Sequence, residues 1–101
     1  MDKAYRELAQ RLQYVASKFR GYVDLPEDER AQRFASGIKL VIGAASSNKG
    51  PRSIEEQIKK LVQLLEEAAE HSDEMMDYRH VKDLRRDLEE IRDDLRKFSN
   101  Y

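Results

Sequence analysis

The sequence predicts an all-α fold, an antiparallel four-helix bundle formed as one domain over residues 1–101. Three observations predict it. Apolar residues recur at alternating spacings of three and four in four separate stretches, the repeat that places them on one face of a helix. The single strand-like run, Ile38-Lys39-Leu40-Val41-Ile42, has no second strand to pair with. A chain of 101 residues, 40% apolar and with a net charge of −1, suits one folded domain and disfavours disorder. The expected helices cover about residues 2–22, 26–45, 53–71 and 73–98, with a flexible loop over 46–52.

The first stretch carries Tyr5, Leu8, Leu12, Val15, Phe19 and Tyr22 on one face, widened by Ala9 and Ala16. Gly21 suits its C-terminus, and Lys18 and Arg20 sit where cations favour the helix dipole. The second stretch opens at Asp24-Leu25-Pro26-Glu27-Asp28-Glu29, with a proline suited to a first helical turn and acids suited to the dipole. Ala31, Phe34, Ile38, Val41 and Ala45 follow as its stripe, and Gly37 weakens that helix by about 1 kcal/mol relative to alanine. Ser53 and Glu56 read as a capping box at the start of the third stretch. Its stripe is Ile54, Ile58, Leu61, Leu65 and Ala68, broadened by Val62, Leu64 and Ala69. The fourth stripe is Tyr78, Val81, Leu84, Leu88, Ile91, Leu95 and Phe98 among nearly uniform charge, as narrow as a coiled-coil seam.

Residues 66–78 hold neither glycine nor proline, and Ser72, Asp73 or Asp77 can each cap a new helix. The phase break at Met75, Tyr78 and Val81 favours a hairpin, in which Asp77 serves as a helix-start residue. The alternative is a helical hairpin plus one C-terminal helix of about 45 residues and 70 Å, which would expose half its stripe and force a dimer.

Composition excludes several functions. The chain has no cysteine, so disulfide scaffolds and thiolate metal sites are ruled out. No apolar run is long enough to span a membrane, and a cytoplasmic location with no membrane partner is expected. Residues 1–52 carry a net charge of +4 and residues 53–101 a net charge of −5, so the halves should attract each other when packed.

Candidate sites are sparse. Gly43 followed by Asn48-Lys49-Gly50 echoes a phosphate-binding loop, but Asn48 and Gly50 stand where that loop needs glycine and a hydroxyl. Glu67 with His71, and Asp77 with His80, have helical metal-ligand spacing, yet the other stripes lack the carboxylates of a di-iron bundle. No nucleophile–base pair is recognisable, so no catalytic, cofactor or metal residue is expected. Lys3, Arg6, Arg11, Lys18 and Arg20 around Tyr14 would suit single-stranded nucleic acid, but Asp2, Glu7 and the acidic second half oppose it, and nucleic acid is not the expected partner. Tyr14 and Leu40 each fall about 200° from their stripes and together suggest a surface patch.

The strings Leu25-Pro26-Glu27-Asp28 and Gly50-Pro51-Arg52-Ser53, set among four helices, are similar to the lumenal four-helix assembly factors of photosystem II, over eight of 101 residues. The chain lacks the cysteine that such factors usually carry, and its loop lengths differ. In size and helix count it also resembles the small immunity proteins against bacteriocins, with no shared motif. Neither likeness assigns a family, and fold-level likeness does not transfer function.

The expectation is therefore a non-enzymatic protein that binds another protein, as an adaptor, assembly factor, inhibitor or immunity-type protein. Arg11, Tyr14, Leu40, Lys49 and Arg52 are its expected partner-binding residues. The alternatives are a structural homo-oligomer, such as a homodimer, associating through Leu88, Ile91 and Leu95 of the C-terminal heptad helix, and a nucleic-acid-associated protein using the basic N-terminal helix.

Overall fold

A computed structural model describes residues 3–47, 49–70 and 75–99. The expected roles of Asp2, Asn48, His71, Ser72 and Asp73, and of the side chains of Ala69 and Phe98, lie outside the described residues. Four helices form, α1 (Lys3–Tyr22), α2 (Glu29–Ser46), α3 (Pro51–Glu70) and α4 (Tyr78–Ser99), with no strand among the described residues. The run Ile38–Ile42 is helical, as the absence of a partner strand requires.

Each stripe turns inward. Leu8, Leu12, Val15 and Phe19 of α1 meet Ala31, Phe34, Ile38, Val41 and Ala45 of α2, with Ile54, Ile58, Leu61, Leu65 and Ala68 of α3 and Val81, Leu84, Leu88, Ile91 and Leu95 of α4 closing the core. All are at most 6% exposed. Burial of a large aliphatic or aromatic side chain contributes about 1.5–3 kcal/mol, so this shared core is what holds the helices together. The rings of Phe19 and Phe34 lie 4.6 Å apart and tilted, fixing the α1–α2 end. Met75 and Met76 precede α4 and are buried, and the Asp24 N–H donates to the Met75 carbonyl at 2.8 Å, tying the α1–α2 link to the segment before α4. Tyr78 departs from its expected stripe: it is 66% exposed at the first position of α4, and the buried stripe starts at Val81.

The helices form a closed ring in which α1 touches α2 and α4, and α3 touches α2 and α4, with no diagonal contact among the described residues. Arg11 reaches Asp94 while Lys18 reaches Asp83, and Glu55 reaches Arg96 while Glu66 reaches Arg85, so α4 runs antiparallel to both neighbours. The principal extents are 42 × 19 × 17 Å. A continuous helix through residues 53–98 is thereby overturned, because α3 and α4 are separate helices packed side by side.

Three helix starts differ from expectation, each for a local reason. α2 begins at Glu29, because Leu25 to Asp28 close a turn through Asp28 N–H to the Leu25 carbonyl (3.1 Å), with Pro26 in the turn rather than in the helix. Asp28 is then the N-cap, accepting from Arg30 N–H at 2.8 Å. α3 begins at Pro51, with Ile54 N–H donating to the Gly50 carbonyl, so Ser53 and Glu56 lie inside the first turns and form no capping box. Proline at the first helical position has no N–H to leave unsatisfied. The link between α2 and α3 is accordingly residues 47–50, shorter than the expected flexible loop. α4 begins at Tyr78, capped by Asp77 through Arg79 N–H at 2.8 Å, as the helix-start reading of Asp77 anticipates.

Candidate partner-binding groove

The four seams differ in chemistry. The α1/α4 seam is held by charge. The Lys18 ammonium donates to Asp83 and Asp87 at 2.7 Å each, and the Tyr22 hydroxyl donates to Asp83 at 2.8 Å. Burial pulls the Lys18 pKa down, but the two carboxylates outweigh it, and it stands well above its ordinary 10.5. Hydrogen bonds from Lys18 and Tyr22 in turn hold Asp83 below its ordinary 3.8. His80 stacks on Tyr22 with ring centroids 3.9 Å apart, its Nδ1 buried without a hydrogen-bond partner among the described residues. Further along, Arg11 pairs with Asp94 and lowers its pKa through that hydrogen bond. The α3/α4 seam has the same character: Arg96 pairs with Glu55 at 2.7 Å and Arg85 with Glu66 at 3.1 Å. The expected attraction between the basic and acidic halves is thus realised between α1 and α4.

The α2/α3 seam is built differently. Among the described residues no ion pair crosses it. At Gly37 the two helices come close: a Cβ there would sit 2.7 Å from Leu61 Cδ2, and Leu61 is fully buried. Beside this crossing an open groove of about 660 Å³ runs along both helices. Leu61 and Leu64 of α3 and Val41 and Ala44 of α2 supply apolar lining. Leu40 stands in it 71% exposed, the most exposed large apolar side chain among the described residues. Lys39, Lys49 and Lys60 line the same groove, and among the described residues no ion pair reaches any of them. At the Glu29 end the groove continues past Arg33 and Gln32, where Glu29 and Arg33 neutralise each other at 3.0 Å.

Gly43 completes the groove. It lies inside α2, three residues beyond Leu40, and a Cβ built on it meets no heavy atom within 4 Å. Gly37 serves the packing of α2 on α3, whereas at Gly43 no atom of the described residues lies close enough to exclude a side chain. A helical glycine costs up to about 1 kcal/mol relative to alanine. The effect of this one is to leave the groove hollow next to Leu40.

The expected site residues divide between the two sides. Tyr14 is 63% exposed, as its off-stripe position requires, and lies with Arg11, Gln10, Glu7, Asp87 and Glu90 over the α1/α4 seam. Leu40 and Lys49 lie on the α2/α3 seam, on the opposite side of the ring. The single patch expected of Tyr14 and Leu40 together is therefore corrected, since the bundle places them back to back. Arg11 is committed to Asp94, and the Tyr14 ring has the Lys18 ammonium 5.0 Å from its centroid, already held by two aspartates. Arg52 is exposed in the first turn of α3, outside the groove lining and outside the loop in which it was expected. Leu88, Ile91 and Leu95 are at most 1% exposed, so the expected self-association seam is corrected: the chain's own α1 and α3 cover that face, and a second copy could reach it only by opening the bundle.

Gly43, Lys39, Lys60 and Leu64 carry no signal as a group in the sequence. Gly43 reads only as the first glycine of a phosphate-loop echo near the end of the second helix, and Leu64 as a widening of the core stripe. Their juxtaposition becomes visible once α2 and α3 are known to be neighbours.

Among the described residues no cluster of three metal-ligating side chains forms, and no helix is long and apolar enough to cross a membrane. Of the five cations of the basic first helix, Arg11 and Lys18 are held by α4 carboxylates. No protein-family model, curated protein or solved structure matches this chain.

Proposed function

We propose that this chain works without catalysis, by binding another protein through the α2/α3 groove, with Leu40 as the anchor. The observation that carries the reading is Leu40 itself, 71% exposed in an apolar groove that Gly43 lines without a side chain. A large apolar side chain is normally buried or scattered singly, whereas one standing in an apolar depression gains a further contact when a partner covers it. Affinity in such interfaces concentrates in a few central apolar or aromatic anchors ringed by polar residues, and Leu40 within its ring of lysines has that layout. The role of adaptor, assembly factor or inhibitor would each use this arrangement.

The test is affinity capture from the source lysate with three baits, the native chain, Leu40→Asp and Tyr14→Asp. Both substitutions fall on exposed positions and leave the core intact. The expected result is a discrete protein held by the native chain and by Tyr14→Asp, and lost from Leu40→Asp. Identical capture by all three, or loss with Tyr14→Asp alone, contradicts the reading.

A further inference from the structure

We infer that the occupant of the α2/α3 groove is an acidic amphipathic helix of a partner protein, laid along α2 and α3 as a fifth helix. The inference rests on the docking role proposed for Leu40 and adds the chemistry of what docks there.

Charge selects the sign. Three lysines line the groove, one from α2 (Lys39), one from α3 (Lys60) and one from the link between them (Lys49). Among the described residues that line the groove the one carboxylate, Glu29, is already paired with Arg33. Across the α1/α4 and α3/α4 seams, by contrast, Arg11, Lys18, Arg85 and Arg96 all reach carboxylates of a neighbouring helix. The α2/α3 groove is the seam where apolar surface and cations without carboxylate partners coincide among the described residues. A second copy docking its own groove face to face would bring lysines against lysines, which like-charge repulsion opposes. A ligand with carboxylates flanking an apolar stripe meets both features at once.

Shape selects the helix. The groove runs between two antiparallel helices, and an amphipathic helix seats its apolar stripe into such a groove through anchors at i, i+3 or i+4, and i+7. An extended peptide would leave its backbone N–H and C=O groups facing side chains, because no sheet edge exists among the described residues to receive them. Residues Glu29 to Ser47, which bound the groove along α2, span about 27 Å at 1.5 Å per residue, the length of a partner helix of about 18 residues. Gly43 leaves a hollow one turn from Leu40, into which an apolar side chain of that helix can enter while Leu40 packs beside it.

The experiment uses the full chain, isotopically labelled, and two synthetic helical peptides of about 18 residues. Both carry the same leucine stripe, flanked in one by glutamates and in the other by lysines. The expected result is that the acidic peptide shifts the amide signals of Gly37, Leu40, Gly43 and Lys60, leaves those of Arg11 and Tyr14 in place, and binds more weakly as salt is raised. The double substitution Lys39→Glu, Lys60→Glu, at exposed positions, should then raise its Kd roughly tenfold or more. Equal or tighter binding of the basic peptide in the groove overturns the acidic chemistry while leaving Leu40 docking intact. If neither peptide moves the groove signals, the helix inference is overturned even where Leu40-dependent capture holds. Phosphatidylglycerol vesicles that move the same signals when the acidic peptide does not would also overturn it, in favour of an anionic lipid surface.

Discussion

Lys18→Met removes the ammonium that bridges Asp83 and Asp87 while keeping most of the side chain's apolar contacts. In the native chain that ammonium lies 2.7 Å from each carboxylate, and the side chains involved are 17–22% exposed, so solvent screens them only in part. A hydrogen bond to a charged group contributes about 1.5–3 kcal/mol. The loss also leaves two aspartates one turn apart on α4 without their shared cation, where like charges repel. Set against the cost of holding Lys18 partly buried, the net destabilisation at pH 7 is about 2 kcal/mol, or a fall of about 8–16 °C in Tm for a domain of this size.

The pH dependence gives the sharper signature. Asp83 has a folded pKa below its ordinary 3.8, so its contribution is present above that value and lost as pH falls through the folded one. Lys18 has a folded pKa above 10.5, so its contribution is complete below that value and is lost only under strongly alkaline conditions. The stability gap between native chain and variant should therefore be wide at neutrality and narrow as pH falls below 3.8, as protonation of Asp83 removes its attraction to Lys18. Urea denaturation of both proteins at a series of pH values reads the gap directly. A gap that stays constant from pH 7 to pH 2, or one below about 0.5 kcal/mol at pH 7, would refute the electrostatic account of the α1/α4 seam.

Other predictions concern the rest of the bundle. Phe34→Ala, at a position with no exposure, should cost about 3–5 kcal/mol in denaturant unfolding. Leu88→Ala should lower stability by about 2–5 kcal/mol without changing the mass seen in sedimentation, since Leu88 serves the monomer's core. Gly37→Ala and Gly43→Ala should act in opposite directions on Tm: the first drives a Cβ to 2.7 Å from buried Leu61, and the second enters open space and gains helix propensity. Asp28, held down to about 2 by its hydrogen bonds with Arg30, stabilises the start of α2 above pH 3.8 and loses that effect as pH falls through about 2. Asp28→Ala should accordingly destabilise the chain at pH 7 and matter less at pH 2, measured by thermal unfolding.

The helices were legible because each stripe alternates three and four, the fourth from Val81 onward, and a buried face imposes that spacing directly. Their starts were less so, because competing local signals are settled by the length of chain between helices. Pro26 suits a first turn on paper, yet the Leu25–Asp28 hydrogen bond spends it in a turn, and Gly50-Pro51 starts α3 before Ser53 can cap it. The α4 stripe resembled a self-association seam because its flanks are charged. Those charges answer α1 and α3 of the same molecule, which sequence spacing cannot reveal. Exposure of Tyr14 and Leu40 followed from the helical wheel, but their separation to opposite seams depends on the order of helices round the ring.

Gly43→Ala tests the central claim most directly, with Tm and acidic-peptide affinity measured on the same preparation. If the glycine exists to hold the groove open, the variant should melt a few degrees higher, in keeping with a gain of about 0.4–1 kcal/mol, and bind the peptide more weakly than the native chain. A higher melting point with undiminished binding would contradict the groove as the partner's seat.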